Sequence, residues 1–235
     1  MAGRRDASDV ERALERMLQA DKRSRRYEDW QAWQQAATDY WVMRHPDLAR
    51  YRRGDPATTP TTVEIRERAQ LVARAMEGIP STWRLAPPSR ERAEHLARVG
   101  WFHELGAGLY GPIHDAMGRL KAGDPSGIET LVRYLEADVY CFRSGYGKAD
   151  AIRSLTRSDL DERTLDRLRE VVVGAVDGYD RREFRAYVRL ARRVDDDRLR
   201  AQLRARLGGS ETRTARHARW MLDGLGEAGT GRAGM

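Results

Sequence analysis

Apolar residues recur every three or four positions along almost the whole 235-residue chain, and no stretch sustains an apolar–polar alternation of period two. With no sheet to pack on, each helix has to bury its stripe against another helix. Val10, Ala13, Leu14, Met17 and Leu18 predict a first helix over 9–23, which Ser8 and Asp9 can cap. Tyr27, Trp30, Trp33, Ala37, Tyr40 and Trp41 share one face of a second, over about 26–44. Pro46 breaks it, and the run from Gly54 to Pro60 reads as a linker. A third helix is expected over 61–77, stopped by Gly78 and Pro80. A fourth runs from Ser89 to about Leu105, where Gly106 and Gly108 punctuate it, and a fifth from Pro112 to Lys121.

Beyond Gly123 the pattern becomes more regular. Asp124 and Pro125 are a cap and a first helical residue. Helices follow near 125–139, 147–156, 160–177, 181–194, 195–207 and 210–225, joined by short Gly, Asp and Ser connectors that force antiparallel neighbours. The segments Gly147–Leu155, Arg181–Val194 and Glu211–Leu225 lie over one another, with starts about 30–35 residues apart. By this spacing and pairing the C-terminal half resembles HEAT-like helical-repeat proteins. The expected fold is all-α: antiparallel helical pairs in a short HEAT-like solenoid or an irregular helical bundle, with an N-terminal helical cap. The expected division is 1–54, 61–122 and 123–226, with 227–235 a disordered tail, or else one compact domain. Cys141 is the single cysteine, which rules out an intrachain disulfide and fits a reducing cytoplasm. No run approaches the ~18 apolar residues of a membrane span, and the N-terminus shows no apolar leader, so a cytoplasmic protein without membrane contact is expected.

Catalytic and metal-binding patterns are sparse. His95 and His103 lie eight apart, about 12 Å along a straight helix and too far to share an ion. With His114 they do not form the i, i+4 pair that binds zinc from one helix face. Gly145-Tyr146-Gly147-Lys148 resembles the end of a phosphate loop, but Ala149 stands where a Ser or Thr would hold magnesium, and Phe142 where the first Gly belongs. The expected role is a helix junction with Tyr146 packed inside it. Cys141 has Tyr140, Phe142 and Arg143 as neighbours and reads as a structural thiol. Asp159, Asp161 and Glu162 sit at a helix start, where the helix dipole accounts for them. No catalytic residue, cofactor or metal site is assigned.

Charge carries more information. Arg outnumbers Lys 40 to 3, a bias that codon usage explains as readily as binding does. Its distribution along the chain is uneven. Residues 124–180 hold 8 basic and 12 acidic groups, whereas residues 181–219 hold 13 Arg against 5 acids, more than the net +7 of the whole chain. Arg181, Arg185, Arg189 and Arg192 step along one predicted helix face, and Arg213, Arg216 and Trp220 share a stripe with His217 on the last helix. The planar fork of Arg suits phosphate or carboxylate, so these residues are the candidate partner-binding set. The aromatic stripe at 27–41 reads as core, with a binding face as its alternative.

The composite expectation is a non-enzymatic interaction protein that presents an Arg-rich C-terminal surface to an acidic protein or to nucleic acid. A second expectation comes from a likeness to helical-repeat DNA glycosylases acting on alkylated purines, by length and helix pairing. That family uses an Asp among Trp residues in a concave cleft, and Trp220 is the single Trp of this C-terminal half. A third is a small-molecule enzyme in a helical bundle, built on His95 or His103. If instead the Arg rows pair with the acids of 124–180, they are surface ion pairs worth only ~0–1 kcal/mol each.

Overall fold

The computed structural model describes residues 7–23, 27–52, 54, 58–77, 79, 90–208 and 212–226. Among them the chain is all-α, with ten α-helices and two short 3-10 segments. The tail at 227–235 lies outside the described residues. Two compact units form, Met1–Thr58 with Val63–Pro112, and Thr59–Thr62 with Ile113–Met235. The 61–122 segment is therefore divided between them.

In the first unit, α1 (Ala7–Arg23) lies along α2 (Tyr27–Arg44), followed by a 3-10 turn at Pro46–Tyr51. Their stripes close on one core of Ala13, Met17, Trp33, Ala37, Tyr40 and Ala97, so the described part of the aromatic stripe is core. Trp30 and Trp41 pack half-buried against it. Helix α3 (Thr62–Glu77) buries Ile65, Ala69 and Val72, and Arg68 donates to the Tyr51 carbonyl at 3.0 Å. Gly100 is a contact point, because a Cβ there would stand 2.4 Å from the Ala37 methyl.

The two helices expected over 89–121 are one, α4 (Arg90–Lys121), with Pro112 inside it. Leu105, Leu109, Ile113 and Ala116 are all buried at steps of four, four and three. That continuous stripe outweighs the single backbone donor lost at Pro112.

The second unit holds three helical pairs: α5 (Ile128–Ala137) with α6 (Ser144–Leu155), α7 (Glu162–Asp177) with α8 (Phe184–Arg193), and α9 (Asp197–Ala205) with α10 (Arg213–Gly224). First helices touch first helices, α5 to α7 to α9, and second helices touch second helices, α6 to α8 to α10. The starts are written in the sequence. Asp124 accepts from the Ser126 N–H at 2.9 Å and opens the 3-10 turn Pro125–Gly127 that leads into α5. Asp161, Asp196 and Thr212 cap α7, α9 and α10 by accepting from the third N–H onward. Arg side chains then tie successive pairs together. Arg167 of α7 reaches Glu136 and Glu129 of α5 at 2.6–2.8 Å. The buried Arg169 donates to the Val194 carbonyl at 2.9 Å and meets Asp196 at 2.9 Å. Among the described residues no helix is long and apolar enough to cross a membrane.

Candidate functional site

Two features of the second unit stand out, a buried charge cluster beneath the α5–α6 loop and the outer face of the second helices. The cluster is centred on Asp138, which ends α5 in the left-handed conformation (φ 43°) that Asp tolerates better than most residues. Lys148 of α6 donates to Asp138 Oδ1 at 2.6 Å and to the Tyr179 hydroxyl at 3.2 Å, and Glu183 stands 3.7 Å away. Arg181 grips the same carboxylate with both terminal nitrogens, at 2.7 and 3.1 Å. Both cationic side chains have no exposure at all, whereas that of Asp138 is 39% exposed. Burial opposes the Arg181 charge, and the hydrogen bonds and field of Asp138 outweigh it, raising its pKa. Tyr187 hydrogen-bonds to Arg181 at 3.4 Å, and burial pushes its phenol pKa up.

Lys148 is thus no phosphate-loop lysine, since its ammonium is buried on Asp138. The flanking glycines serve close packing. A Cβ at Gly145 would stand 2.7 Å from Glu183 Oε2, and one at Gly147 would stand 2.8 Å from the Tyr134 hydroxyl. Tyr146 is 69% exposed rather than packed in the junction. With the glycines taking the inward contacts, its ring is left outside.

The six candidate partner-binding arginines fall into three groups, with Trp220 beside them. Arg181 is buried on Asp138 and leaves the Arg row, because α8 begins only at Phe184 and the helical phase does not extend back to 181. Arg216 is exposed but pairs with Asp180 at 2.7 Å, and Arg192 donates to the Gly224 carbonyl at 2.6 Å. Arg185, Arg189 and Arg213 are exposed and have no ion-pair partner among the described residues. Trp220 is 59% exposed and stacks on Phe184, with ring centroids 5.7 Å apart.

The outer rows of α8 and α10 adjoin. Phe184 meets Trp220, a Cβ at Gly224 would strike Val188, and Arg192 reaches Gly224. Residues 185, 189 and 192 then lie on the solvent side of that seam, as do 213, 216 and 220 across it. His217 leaves its predicted stripe and is buried. Its Nδ1 lies 3.1 Å from the Val176 carbonyl and its Nε2 2.8 Å from Asp180 Oδ1. Both partners are oxygen acceptors, which hold the ring in place at the end of α7.

Ion pairs also join the basic segment to the acidic one: Arg181 with Asp138, Arg198 with Glu170, Arg206 with Asp177 and Arg216 with Asp180. A groove of about 320 Å³ opens beside the charge cluster, between Leu135, Asp138, Arg167, Val171, Ala175 and Tyr187. It contains no histidine. His103 lies in the first unit against Trp30 and Phe102, and burial lowers its pKa. Among the described residues no group of three or more His, Cys, Asp or Glu is placed to hold a metal ion. No protein-family model, no curated protein and no solved structure matches the chain.

Sequence reasoning missed the Asp138–Lys148–Arg181 cluster. A signal was present: Lys148 is one of only three lysines in an Arg-rich chain, and it falls on the inward side of its helix with Ala151, Ile152 and Leu155.

Proposed function

We propose that residues 124–226 form a short HEAT-like array whose second-helix face binds a polyanion, with nucleic acid as the preferred partner. The observation that carries this is the placement of three unpaired arginines on the second helices. Arg185 and Arg189 of α8 and Arg213 of the adjoining α10 are exposed, on helices whose seam carries an exposed Trp. Several other arginines of this unit staple the fold, as Arg167, Arg169 and Arg181 do. Arg185, Arg189 and Arg213 have no such task, and a solenoid leaves that face free along its length. Phosphates, each contacted by one cation, suit this spread of forks.

The test is a salt titration of binding to a labelled DNA duplex and to heparin. Arg185→Glu with Arg189→Glu should abolish binding at moderate salt. Neutralising the same pair with Ala should make the slope of log K against log salt shallower by about 2. Arg163→Glu on the first-helix side should change neither. If neither polyanion binds at 50 mM salt, the proposal fails.

A second reading, excision of a damaged base as in the alkylpurine DNA glycosylases, is favoured by Asp138. Its carboxylate is part-exposed and lines the groove, where the acid of that chemistry would have to stand. Tyrosines, rather than the tryptophans of that family, surround it. Release of methylated bases from alkylated DNA, lost in Asp138→Asn, is the expected outcome of this reading, and no release refutes it.

A further inference from the structure

Six large apolar or aromatic side chains are highly exposed among the described residues, and four of them are rings of the second unit: Tyr140 (78%), Phe142 (40%), Tyr146 (69%) and Trp220. Three of these rings fall within seven residues at the α5–α6 loop. Local backbone explains why they face out. Val139 and Ser144 point inward and are buried, Ser144 accepts from the Cys141 N–H, and its carbonyl accepts from the buried Tyr134 hydroxyl. Tyr140 and Phe142, alternating with these anchors, are turned to solvent. The loop is bracketed by Asp138 and Arg143, the two non-glycine residues with left-handed backbone among those described. Conformations of this kind cost energy and persist where the surroundings over-determine them.

The rings are also supported from below. Tyr140 stands edge-on to Tyr179 at 4.9 Å, and the Arg181 guanidinium lies over Tyr179 at 4.3 Å. Trp220 rests one face on Phe184. Tyr140 and Trp220 are thus braced aromatic surfaces rather than loose side chains.

The loop and the Arg rows belong to one face. Glu183, just before α8, sits against Gly145 at the start of α6, while Phe184 meets His217 and Trp220 of α10. The starts of α6 and α8 therefore come level with the second half of α10, where Trp220 stands. Helices pack roughly 8–10 Å apart, so Tyr146 and Trp220, two helices from one another, are about 16–20 Å apart, a span of a few nucleotides. Asp138 places no free charge in the way, since Lys148 and Arg181 neutralise it.

Extending the polyanion reading, on which this rests, we propose that the partner is single-stranded nucleic acid. Its bases stack on Tyr140, Tyr146 and Trp220, while Arg185, Arg189 and Arg213 hold its phosphates. Exposed ring faces are of no use to a duplex, whose bases are already stacked. They are of use to splayed bases, for which an aromatic surface works with any sequence.

Four probes of equal length separate the possibilities by fluorescence anisotropy at 50 mM NaCl: oligothymidylate, the same strand with abasic tetrahydrofuran residues, a duplex, and oligoglutamate. Oligothymidylate should bind at least tenfold more tightly than the other three. Tyr140→Ala with Tyr146→Ala should remove its advantage over the abasic strand and leave abasic binding unchanged. Because both side chains are exposed, the fold should survive, as a thermal melt will verify. Equal affinity for thymidylate and abasic strands overturns the stacking proposal and leaves polyanion binding standing. Tighter binding of duplex overturns it in the same way. Preference for oligoglutamate replaces nucleic acid by an acidic protein, and no binding of any probe overturns both proposals.

Discussion

Removing the Asp138 carboxylate should leave two cations buried and under-compensated, and the cost can be worked from the geometry. Lys148 and Arg181 have fully buried side chains, and Asp138 is the shared partner at 2.6 and 2.7 Å. Stripping one partner from a buried pair costs about 3–5 kcal/mol. Two features reduce this. Asp138 is itself 39% exposed, and Glu183 remains 3.7 Å from Lys148. Asp138→Asn, which retains the shape and tolerates left-handed backbone, should therefore lose about 2–3 kcal/mol. Asp138→Ala should lose about 1 kcal/mol more, because Ala lacks that tolerance. In urea melts followed by far-UV circular dichroism, a slope of about 2 kcal/mol/M turns the Asn penalty into a midpoint shift of about 1–1.5 M. Lys148→Met in the Asp138→Asn background should recover at least about 1 kcal/mol, since the orphaned charge is gone. An Asn variant within about 0.5 kcal/mol of the wild type, or a double variant weaker than the single one, would refute the reasoning.

Two glycines make opposite predictions. Gly127→Ala places a methyl 2.3 Å from the Ala116 carbonyl oxygen, a backbone atom with little room to yield, so thermal melts should show a loss of about 2–3 kcal/mol. Gly174→Ala, mid-way along α7 with nothing within 4 Å, should gain about 0.5–1 kcal/mol. The Asp180 pKa is lowered chiefly by its hydrogen bond with His217 and then by that with Arg216. A lowered carboxylate stabilises the fold above its unfolded value, near pH 3.9, and that contribution is lost as pH falls through the folded value. An NMR titration should place Asp180 below the ordinary carboxylate range and find it raised in His217→Phe.

Helix positions were largely legible because amphipathic spacing is local, and caps such as Asp124 and Asp161 act within three residues. What failed was information carried over longer distances. Gly106, Gly108 and Pro112 are genuine stop signals, yet the buried row from Leu105 to Ala116 overrides them. Lys148 could be tested against a motif, but its partners lie 10 residues before it and 35 after, and ion pairing between helices has no period to read. Helical phase alone assigns Arg181 and His217 to surface stripes. One precedes its helix, and the other turns inward to the end of α7.

The Arg excess divides by geometry. In the first-helix layer, arginine links one pair to the next: Arg167 to α5, Arg169 to the cap of α9, and Arg198 and Arg206 back to α7. These contacts consume acids of the 124–180 segment, and the net charge of 124–219 after mutual compensation is still +4. That remainder has few places to reside. Arg185, Arg189 and Arg213 are exposed with no ion-pair partner among the described residues, so their charge is left uncompensated in the folded protein. Codon bias can put arginine into a chain, but it does not choose which helix face keeps its charge unpaired next to exposed aromatic rings. If the rows were only solvated surface, substituting all three with Gln should relieve repulsion and raise stability slightly without altering any binding. If they are a binding face, the same substitution should raise stability by a similar small amount and abolish polyanion binding. Measuring both on one variant separates compositional accident from function.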